Sequence, residues 1–361
     1  MKEPKIALFY DWINQWGGAE KVLLDLINLY PKAPIYTLVY DPKKTKWLPK
    51  NTKIIPSFVN NFPFSKNNPI FYTPLYLSAI KHFDFSKFDI LISTTSTIGH
   101  SLKTTPKTKF ICYLHNVNRH IYQKKYNWPV STIISKYKKI DKINSKKPDY
   151  IFCNSKTVQQ RIKNIYNRNA KIIYPGVDTS FFVPSKSKTK DEYFLIVSRF
   201  VSHKKIDLAI NACHQLKKRL YIVGDGRDKI KLSNLISSLK DSNIKLIGKV
   251  DNKKLLKLYQ NCQALICPQL EDFGLTPIEA QACGKPVIAY KKGGLTETVV
   301  GNKTGIFFKY QTINSLKKAI NKLELQKISK KDCIKNSQRF SNKSFMLNFK
   351  KQINLIWQNN Q

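Results

Sequence analysis

Short apolar runs of strand length alternate through most of the chain with longer segments in which apolar residues recur at helical spacing. Runs such as Ile-Leu-Ile at 90–92 and Ile-Phe-Cys at 151–153 are apolar on both faces, as buried parallel strands are. The first half of the chain therefore predicts a doubly wound α/β domain. Its predicted strands lie at 5–10, 35–39, 89–93, 110–114, 150–154 and 171–174, and its predicted helices at 19–30, 131–146 and 156–166.

The alternation stops at 175–191, where turn-forming and polar residues predict a linker. Two Rossmann-like domains explain the series before and after this linker better than one very large sheet does, so we predict domains at 1–176 and 177–340. Apolar residues at helical spacing near the end of the chain predict a terminal helix at 341–361. The predicted strands of the second series lie at 193–197, 220–223, 245–247, 264–267 and 286–289.

The charge of the chain is unusual for a globular protein. Of its 361 residues 42% are hydrophobic, and 63 Lys and Arg against 23 Asp and Glu give a net charge of +40. An excess of this size predicts attraction to a polyanion, either nucleic acid or an anionic membrane surface. The predicted helix at 131–146 suits a membrane surface, with an ordinary packed helix as the alternative. Its apolar residues near one face are Ile133, Ile134, Tyr137, Ile140 and Ile143, with lysines around them.

Signals for targeting and for other functional classes are absent from the sequence. No apolar stretch approaches the ~18–20 residues of a membrane-spanning helix, and 6–9 is too short for the apolar region of a signal peptide. Seven scattered cysteines without a Cys-x-x-Cys pair predict reduced thiols and a cytoplasmic location, with contact at the inner face of the cell membrane left open. No RRM, zinc-finger or helix-turn-helix signature is present, so binding of nucleic acid is the less favoured class of function.

The segment 269–280, between a predicted strand and a predicted helix, is the first candidate site. Thr276 suits the N-cap of the helix, Pro277 its first position, and Glu279 would complete a capping box. A loop with Gly274 that leads into a helix N-terminus also presents backbone N–H groups and a positive dipole end to an anion. Capping alone and phosphate binding are equal alternatives for this segment.

Arg199 and Lys204 follow the predicted strand at 193–197, where ligands bind in open α/β sheets. Arginine would contact a diphosphate as a two-pronged donor, and lysine would contact it as a point charge. Arg199 is the more informative residue because only seven of the 63 basic residues are arginine. For Lys204, a solvated surface position is the alternative.

Three further loops after predicted strands are candidates for the same kind of crevice. Gly17 and Gly18 follow the first strand and allow close approach of a ligand, although a plain turn explains them as well. Their loop has neither GxGxxG nor GxxxxGK[ST], so neither a dinucleotide fingerprint nor a P-loop is indicated. His115 follows the strand at 110–114 and Gly224 the strand at 220–223, each with a structural role as its alternative.

In chain order, these residues resemble glycosyltransferase family 4, whose members are retaining enzymes with the GT-B fold. The resemblance implies an α/β protein with two Rossmann-like, doubly wound domains facing across a central cleft. The N-terminal domain would bind the acceptor, the C-terminal domain the nucleotide sugar, and the terminal helix would return to the N-terminal domain. The resemblance runs from about residue 5 to 320 and is carried by Gly17-Gly18-Ala-Glu-Lys, His115…Arg119, Pro175-Gly176-Val177-Asp178, Arg199…Lys204, Gly224-Asp-Gly226 and Glu271-x7-Glu279.

The resemblance implies a role for each matched residue of the C-terminal domain. Arg199 and Lys204 would neutralise the leaving diphosphate. Glu279 would hold the ribose hydroxyls of the donor, and Glu271 would hold the hydroxyls of its sugar. The backbone N–H groups that would meet the phosphates are those of Gly274, Leu275 and Thr276.

The N-terminal domain would supply fewer contacts. Gly17 and Gly18 would let the backbone close on the donor phosphate, and His115 would hydrogen-bond the transferred sugar. Because fixed cations stabilise the charge in this family, the resemblance implies no cofactor and no essential divalent metal. The sequence has no Asp-x-Asp pair suited to a metal.

Residues 197–209 are most similar to the family's mannosyltransferases that use GDP-mannose in bacterial surface-polysaccharide assembly. The expected partners are GDP-mannose as donor and a saccharide or lipid-linked saccharide as acceptor. The chain departs from this subgroup at His115-Asn116-Val117, where His-Thr-Pro is usual, so a UDP-sugar donor is the alternative. A nucleotide-sugar epimerase or a phosphorylase on the same fold is a further alternative, although no lysine-linked cofactor motif is recognisable.

Overall fold

The computed structural model describes residues 3–122, 126–187, 193–240 and 242–360. The chain divides into two compact units, one formed by Met1–Gly176 with Phe345–Gln361 and the other by Val177–Ser344. Each unit contains one parallel β-sheet and the helices that connect its strands. Part of the predicted linker, residues 188–191, lies outside the described residues.

The first unit is built on seven strands: β1 (Ile6–Ile13), β2 (Ile35–Tyr40), β3 (Ile54–Pro56), β4 (Ile90–Thr95), β5 (Lys109–Leu114), β6 (Tyr150–Cys153) and β7 (Lys171–Ile172). Its helices are α1 (Gly18–Leu29), α2 (Thr73–Ala79), α3 (Arg119–Tyr122), α4 (Val130–Asn144) and α5 (Lys156–Tyr166). The strands are parallel in the order β3-β2-β1-β4-β5-β6-β7. The order reverses at β1, which pairs with β2 on one side and β4 on the other.

The second unit has six strands: β8 (Phe194–Val197), β9 (Leu220–Val223), β10 (Ile244–Gly248), β11 (Ala264–Cys267), β12 (Val287–Tyr290) and β13 (Gly305–Phe308). Its helices are α6 (Ile206–Gln215), α7 (Lys229–Ser238), α8 (Asn252–Asn261), α9 (Leu275–Ala282), α10 (Leu295–Thr298), α11 (Ile313–Leu325) and α12 (Lys330–Gln338). The parallel order is β10-β9-β8-β11-β12-β13, so this sheet reverses at β8 in the way the first reverses at β1. In such sheets the loops after the two strands at the reversal part, and a crevice opens at their carboxyl ends.

The last helix, α13 (Asn342–Gln358), packs on the sheet of the first unit. Phe345, Phe349 and Ile353 lie in the same buried cluster as Leu8 and Tyr113, which point to one face of that sheet. Alternate residues of a strand point to opposite faces, so the other face has its own core. The burial of α13 on one of these cores places Phe345–Gln361 in the first unit.

The predicted fold class, two doubly wound α/β domains, is confirmed. Every predicted strand is present within three residues of its predicted ends, whereas β3 and β13 were not predicted. Both missed strands are short, and one ends at Pro56 while the other begins at Gly305. Proline and glycine are depleted in strands, so the sequence signal for these two is weak.

The predicted single apolar face of α4 is wrong. Ile133, Ile140 and Ile143 are exposed, whereas Ile134 and Tyr137 are half-buried on the inward side. The five residues span more than one side of a helix with 3.6 residues per turn, so packing takes one group and leaves the other in solvent.

The apolarity of the helices and the state of the cysteines follow from the same structure. In the part of the chain that the structure describes, no helix combines the length and the apolarity needed to cross a membrane. All seven cysteines are buried, and none forms a disulfide.

Candidate functional site

The loops after β8 and β11 leave the same edge of the second sheet, where its strand order reverses. The two strands pair directly, with Phe194 opposite Ala264 and Leu195 opposite Leu265. The loop after β8 carries Arg199 and Lys204, and the loop after β11 carries residues 268–274. The topology therefore brings the predicted basic pair and the predicted Gly274 loop to one crevice.

Lys204 and Glu271 join these two loops. The ammonium group of Lys204 forms an ion pair with Glu271 Oε1, and the two side chains are only 13% and 20% exposed. Gln269 Nε2 donates to the same carboxylate oxygen at 2.8 Å. Limited exposure reduces screening by solvent, so this contact holds the two loops more firmly than a surface pair would.

Gln269 was not predicted as a site residue. Its side chain is buried, and its Oε1 atom has no hydrogen-bond partner within the described residues. A buried amide oxygen without a hydrogen-bond partner lowers the stability of the fold. Because the amide nitrogen donates to Glu271, a role in fixing the Glu271 carboxylate is favoured for Gln269. Only the position of Gln269 directly after a buried strand could have drawn attention to it.

The side chain of Arg199 is exposed and lies in the loop after β8, at the same edge of the second sheet. Its guanidinium forms no ion pair or hydrogen bond with another residue of the described chain. The loop then continues through Lys205, whose φ of 53° is left-handed and which precedes α6 without a side-chain cap. The loop after β8 thus presents an arginine whose five donors are available to an anion.

The helix α9 begins at Leu275 with Gly274 as its N-cap, so the predicted N-cap Thr276 and first helical residue Pro277 are wrong. Gly274 has a φ of 96°, a conformation that suits glycine and lets the chain enter the helix earlier. Gly274 has no side chain with which to cap the helix. The N-cap residue therefore leaves the first N–H groups of α9, which Gly274, Leu275 and Thr276 span, without a side-chain acceptor of its own.

The predicted capping box is wrong as well, because Thr276 lies inside α9 and not at its N-cap. The carboxylate of Glu279 is buried and accepts the hydroxyl of Tyr259 at 2.8 Å. Tyr259, on α8, is itself fully buried, and burial together with Glu279 raises its pKa well above the usual value. The interaction fixes Glu279 near the start of α9, and no sequence pattern had singled out Tyr259.

Glycines at two loops allow close backbone packing around the crevice. Gly293, with a φ of 69°, leaves no room for a Cβ, which would lie 2.3 Å from the carbonyl oxygen of Glu271. Gly224, with a φ of 139°, would place a Cβ 1.8 Å from the carbonyl oxygen of Ser198. Gly224, predicted to bind the donor, thus has a packing role next to Arg199 in this structure.

In the first unit, the corresponding reversal of the sheet contains a buried carboxylate. The Thr95 hydroxyl donates its one proton to the carboxylate of Asp11 on β1 and lies 2.7 and 2.8 Å from its two oxygens. Asp11 also accepts from the backbone N–H groups of Ser96 at 2.8 Å and Thr97 at 3.1 Å. The loop after β4 thus has its N–H groups satisfied by the protein's own anion, an arrangement the sequence did not predict.

The remaining predicted residues, Gly17, Gly18 and His115, lie near this reversal. Gly17 is the N-cap of α1 and Gly18 its first residue. The backbone N–H of His115 donates to Thr95 at 2.9 Å, and its Nε2 lies 2.8 Å from the Thr94 hydroxyl. Burial lowers the pKa of His115 to about 4, so the imidazole is neutral at pH 7.

Family comparisons match both halves of the chain. Residues 16–181 match the model described as Glycosyltransferase Family 4, and residues 178–340 match the model described as Glycosyl transferases group 1. Together the two matches extend from the first loop of the first unit to the end of the second unit.

Similar proteins include an uncharacterized glycosyltransferase of Methanocaldococcus jannaschii, 29% identical over 54% of this chain and 55% of that relative. The Alpha-1,3/1,6-mannosyltransferase ALG2 of Dictyostelium discoideum is 24% identical, with 98% of both chains covered. The GDP-mannose-dependent alpha-(1-6)-phosphatidylinositol monomannoside mannosyltransferase of Mycolicibacterium smegmatis is 26% identical over 47% of this chain and 51% of its own. The chain thus spans about half the length of two of these three relatives.

Solved structures share the fold at lower identity. The sucrose-phosphate synthase from Thermosynechococcus elongatus has a TM-score of 0.79 and 18% identity, covering 98% of this chain and 100% of its own. HepE from Anabaena, in complex with UDP-glucose, has a TM-score of 0.75 and 19% identity over 98% and 100% of the two chains. These likenesses identify the fold as that of GT-B glycosyltransferases.

Proposed function

The chain belongs to the glycosyltransferases, with a family 4 domain and a group 1 domain, and we propose that it is a retaining enzyme that transfers a hexose from a nucleotide-diphosphate donor. The observation that carries this proposal is the crevice where the second sheet reverses. There, the Arg199 guanidinium, which has no ion pair or hydrogen bond to another described residue, and the first N–H groups of α9, which follow the N-cap Gly274, would present donors to an anion. A diphosphate has the charge and the oxygens to accept from both.

Departure of the nucleoside diphosphate builds negative charge on the phosphate next to the sugar. Arg199, Lys204 and the first N–H groups of α9 would stabilise that charge. They would act as fixed donors that need no reorganisation during the reaction, which is the main source of electrostatic catalysis. Because these groups are part of the protein, we propose that the reaction needs no divalent metal and no cofactor.

The two glutamates would orient the rest of the donor. Glu279, fixed by Tyr259, would accept hydrogen bonds from the ribose hydroxyls. Glu271, held by Gln269 and Lys204, would accept from hydroxyls of the sugar. On donor binding, the ammonium group of Lys204 would contact both Glu271 and the phosphate. Binding of the sugar by Glu271 would then be coupled to binding of the leaving phosphate by Lys204.

The first unit would contact the sugar and the acceptor. Its neutral His115 can donate to or accept from a sugar hydroxyl without adding positive charge beside the anomeric carbon. The paired Gly17 and Gly18 at the start of α1 would allow the backbone to approach a donor phosphate.

We propose GDP-mannose as the donor, with the mannosyltransferases among the relatives as support. A UDP-sugar is the second candidate, because a structural neighbour of the same fold holds UDP-glucose. The acceptor would be a saccharide or a lipid-linked saccharide. The net charge of +40 and the exposed Ile133, Ile140 and Ile143 among the lysines of α4 support peripheral contact with the cytoplasmic face of an anionic membrane rather than with nucleic acid.

Slow hydrolysis of the donor tests this proposal without knowledge of the acceptor. The purified chain, in EDTA, is offered GDP-, UDP- and ADP-sugars, and released nucleoside diphosphate is measured beside an Arg199→Ala variant. Release of GDP from GDP-mannose that the variant loses supports the class and the donor, whereas release of UDP keeps the class and overturns the donor. Loss of all turnover in EDTA overturns metal independence. Binding of DNA without binding of any nucleotide sugar overturns the proposal that the chain acts on a nucleotide sugar.

A further inference from the structure

One segment of the first unit exposes far more apolar surface than a soluble domain needs. Between β3 and the end of α2, two short 3₁₀ helices carry side chains that point into solvent. Phe64 is 77% exposed and Phe71 79%. The exposed apolar side chains of this segment, which we call the aromatic surface, are Phe58, Phe62, Phe64, Ile70, Phe71 and Leu75. Contiguous exposed patches of this kind mark interaction sites.

The aromatic surface is held in place from below. The rings of Phe58 and Phe62 lie 5.9 Å apart, and Tyr72 lies 5.5 Å from Phe62 and 5.4 Å from Phe71. The hydroxyl of Tyr72 donates to the carbonyl of Pro63 at 2.6 Å, and that of the buried Tyr76 donates to the carbonyl of Pro69. These ring contacts and hydrogen bonds order the segment that carries the exposed rings. Less conformational entropy is therefore lost when the rings bind a partner.

The segment that carries this surface has an excess of positive charge. From residue 42 to 83 the chain has seven lysines and no Asp or Glu. Residues 1–176 contain 29 Lys and Arg and nine acidic residues, of which five are buried: Asp11, Glu20, Asp25, Asp41 and Asp141. Few carboxylates are therefore left on the surface of this unit to oppose the lysines.

The aromatic surface continues towards the end of α4. Phe58 contacts the ring of His82 at 5.3 Å, and Lys81 precedes His82 in the chain. Burial, together with the nearby Lys81 and Lys103, lowers the pKa of Lys147, which follows α4. Lys81, Lys103 and Lys147 therefore lie near one another, and Lys81 is next to the His82 ring that contacts Phe58.

We propose that the aromatic surface inserts into the interface of an anionic lipid bilayer, with the neighbouring lysines bound to the lipid headgroups. Aromatic rings suit the boundary between headgroups and acyl chains, and lysines attract anionic lipids. A polyanion such as RNA would use the lysines but would leave Ile70 and Leu75 without an apolar environment. The inference rests on the proposed function, since a lipid-linked acceptor would be met at that bilayer.

Flotation of the full chain with lipid vesicles tests the inference. Phosphatidylcholine vesicles with and without phosphatidylglycerol are compared for the wild type and for Phe64→Asn/Phe71→Ser. Asparagine tolerates the φ of 56° at position 64, so the ring is removed without backbone strain. The matched control is Ile230→Ser/Leu325→Ser, which removes two equally exposed apolar side chains from the second unit.

We expect the wild type and the control to float with the anionic vesicles, and the partition coefficient of the aromatic variant to fall by about tenfold or more. Donor hydrolysis by the aromatic variant should equal that of the wild type, which separates this result from failure of the proposed function. Equal flotation of the aromatic variant and the wild type would overturn the inference. So would tight binding of RNA by a wild type that does not float.

Discussion

The two sheets of this protein reverse their strand order in the same way but treat the reversal in opposite ways. In the first unit, the Asp11 carboxylate satisfies the hydroxyl of Thr95 and the N–H groups of the loop after β4. In the second unit, the helix after β11 starts at a glycine N-cap, and the loop after β8 carries an exposed arginine that pairs with no other described residue. The same topology thus gives one reversal whose loop binds the protein's own carboxylate and one that presents an exposed arginine beside a helix start.

This difference shows that topology locates a crevice but does not decide its use. At both reversals the loops leave the carboxyl ends of the strands, where ligands bind in sheets of this kind. What separates them is how the charges are paired: the Asp11 carboxylate binds the loop N–H groups in the first unit, whereas in the second unit Glu271 pairs with Lys204 and Arg199 pairs with no other described residue. We therefore propose that the donor diphosphate binds to the second unit.

Loss of Arg199 should have the largest effect. Removing one preorganised donor to a developing negative charge costs about 10²–10³-fold in rate, so Arg199→Ala should lower donor hydrolysis by that factor. Arg227→Ala is the matched control, because Arg227 is exposed and belongs to the same unit. Equal rates for the two variants would place the diphosphate elsewhere.

His115 should make the stability of the protein depend on pH. Its pKa is lowered to about 4 from 6.5, so below about pH 6.5 the unfolded chain binds a proton that the folded chain refuses. The contribution of His115 to the free energy of unfolding is therefore fully present above pH 6.5. It is lost as the pH falls towards 4, by about 3 kcal/mol in total.

Chemical denaturation of the wild type and His115→Asn across this pH range checks that sign. The difference between the two curves should shrink as the pH falls, while the exposed control His82→Asn should track the wild type. A constant difference from pH 6.5 to 4 would show that His115 does not titrate as an isolated buried base.

Asp11→Asn should separate structure from chemistry at the first reversal. An amide accepts fewer hydrogen bonds from the loop after β4, so the free energy of unfolding should fall by about 1–3 kcal/mol. Donor hydrolysis per folded molecule should stay near that of the wild type. Asp84→Asn, at an exposed carboxylate, controls for the charge; a catalytic loss in Asp11→Asn at unchanged stability would argue that the first reversal binds the donor.

Gln269→Met should have the smallest effect. Methionine keeps the length of the side chain but cannot donate to Glu271, a loss of about 1 kcal/mol or roughly fivefold in kcat/KM for the nucleotide sugar. Affinity for the free nucleoside diphosphate should not change, because Gln269 acts through the carboxylate that holds the sugar. A parallel loss of diphosphate affinity would mean that Gln269 supports the whole loop instead.

The sequence predicted the architecture because buried parallel strands leave continuous apolar runs such as 90–92. It also predicted Arg199, Lys204 and Glu271 as residues of one site, and in the structure Lys204 and Glu271 form an ion pair. It failed at the start of α9, where local capping rules favoured Thr276 while the left-handed Gly274 and the packing of Glu279 against Tyr259 decided the helix start. Asp11, Gln269 and Tyr259 act through partners distant in sequence, and no local pattern marks such contacts.

A crystal structure of the chain with GDP or UDP would show whether the diphosphate binds at the start of α9. We expect diphosphate oxygens within hydrogen-bonding distance of the N–H groups of Leu275 and Thr276, with the Arg199 guanidinium turned onto them. A diphosphate held instead by the N–H groups of Ser96 and Thr97, with the Asp11 carboxylate displaced, would contradict this expectation.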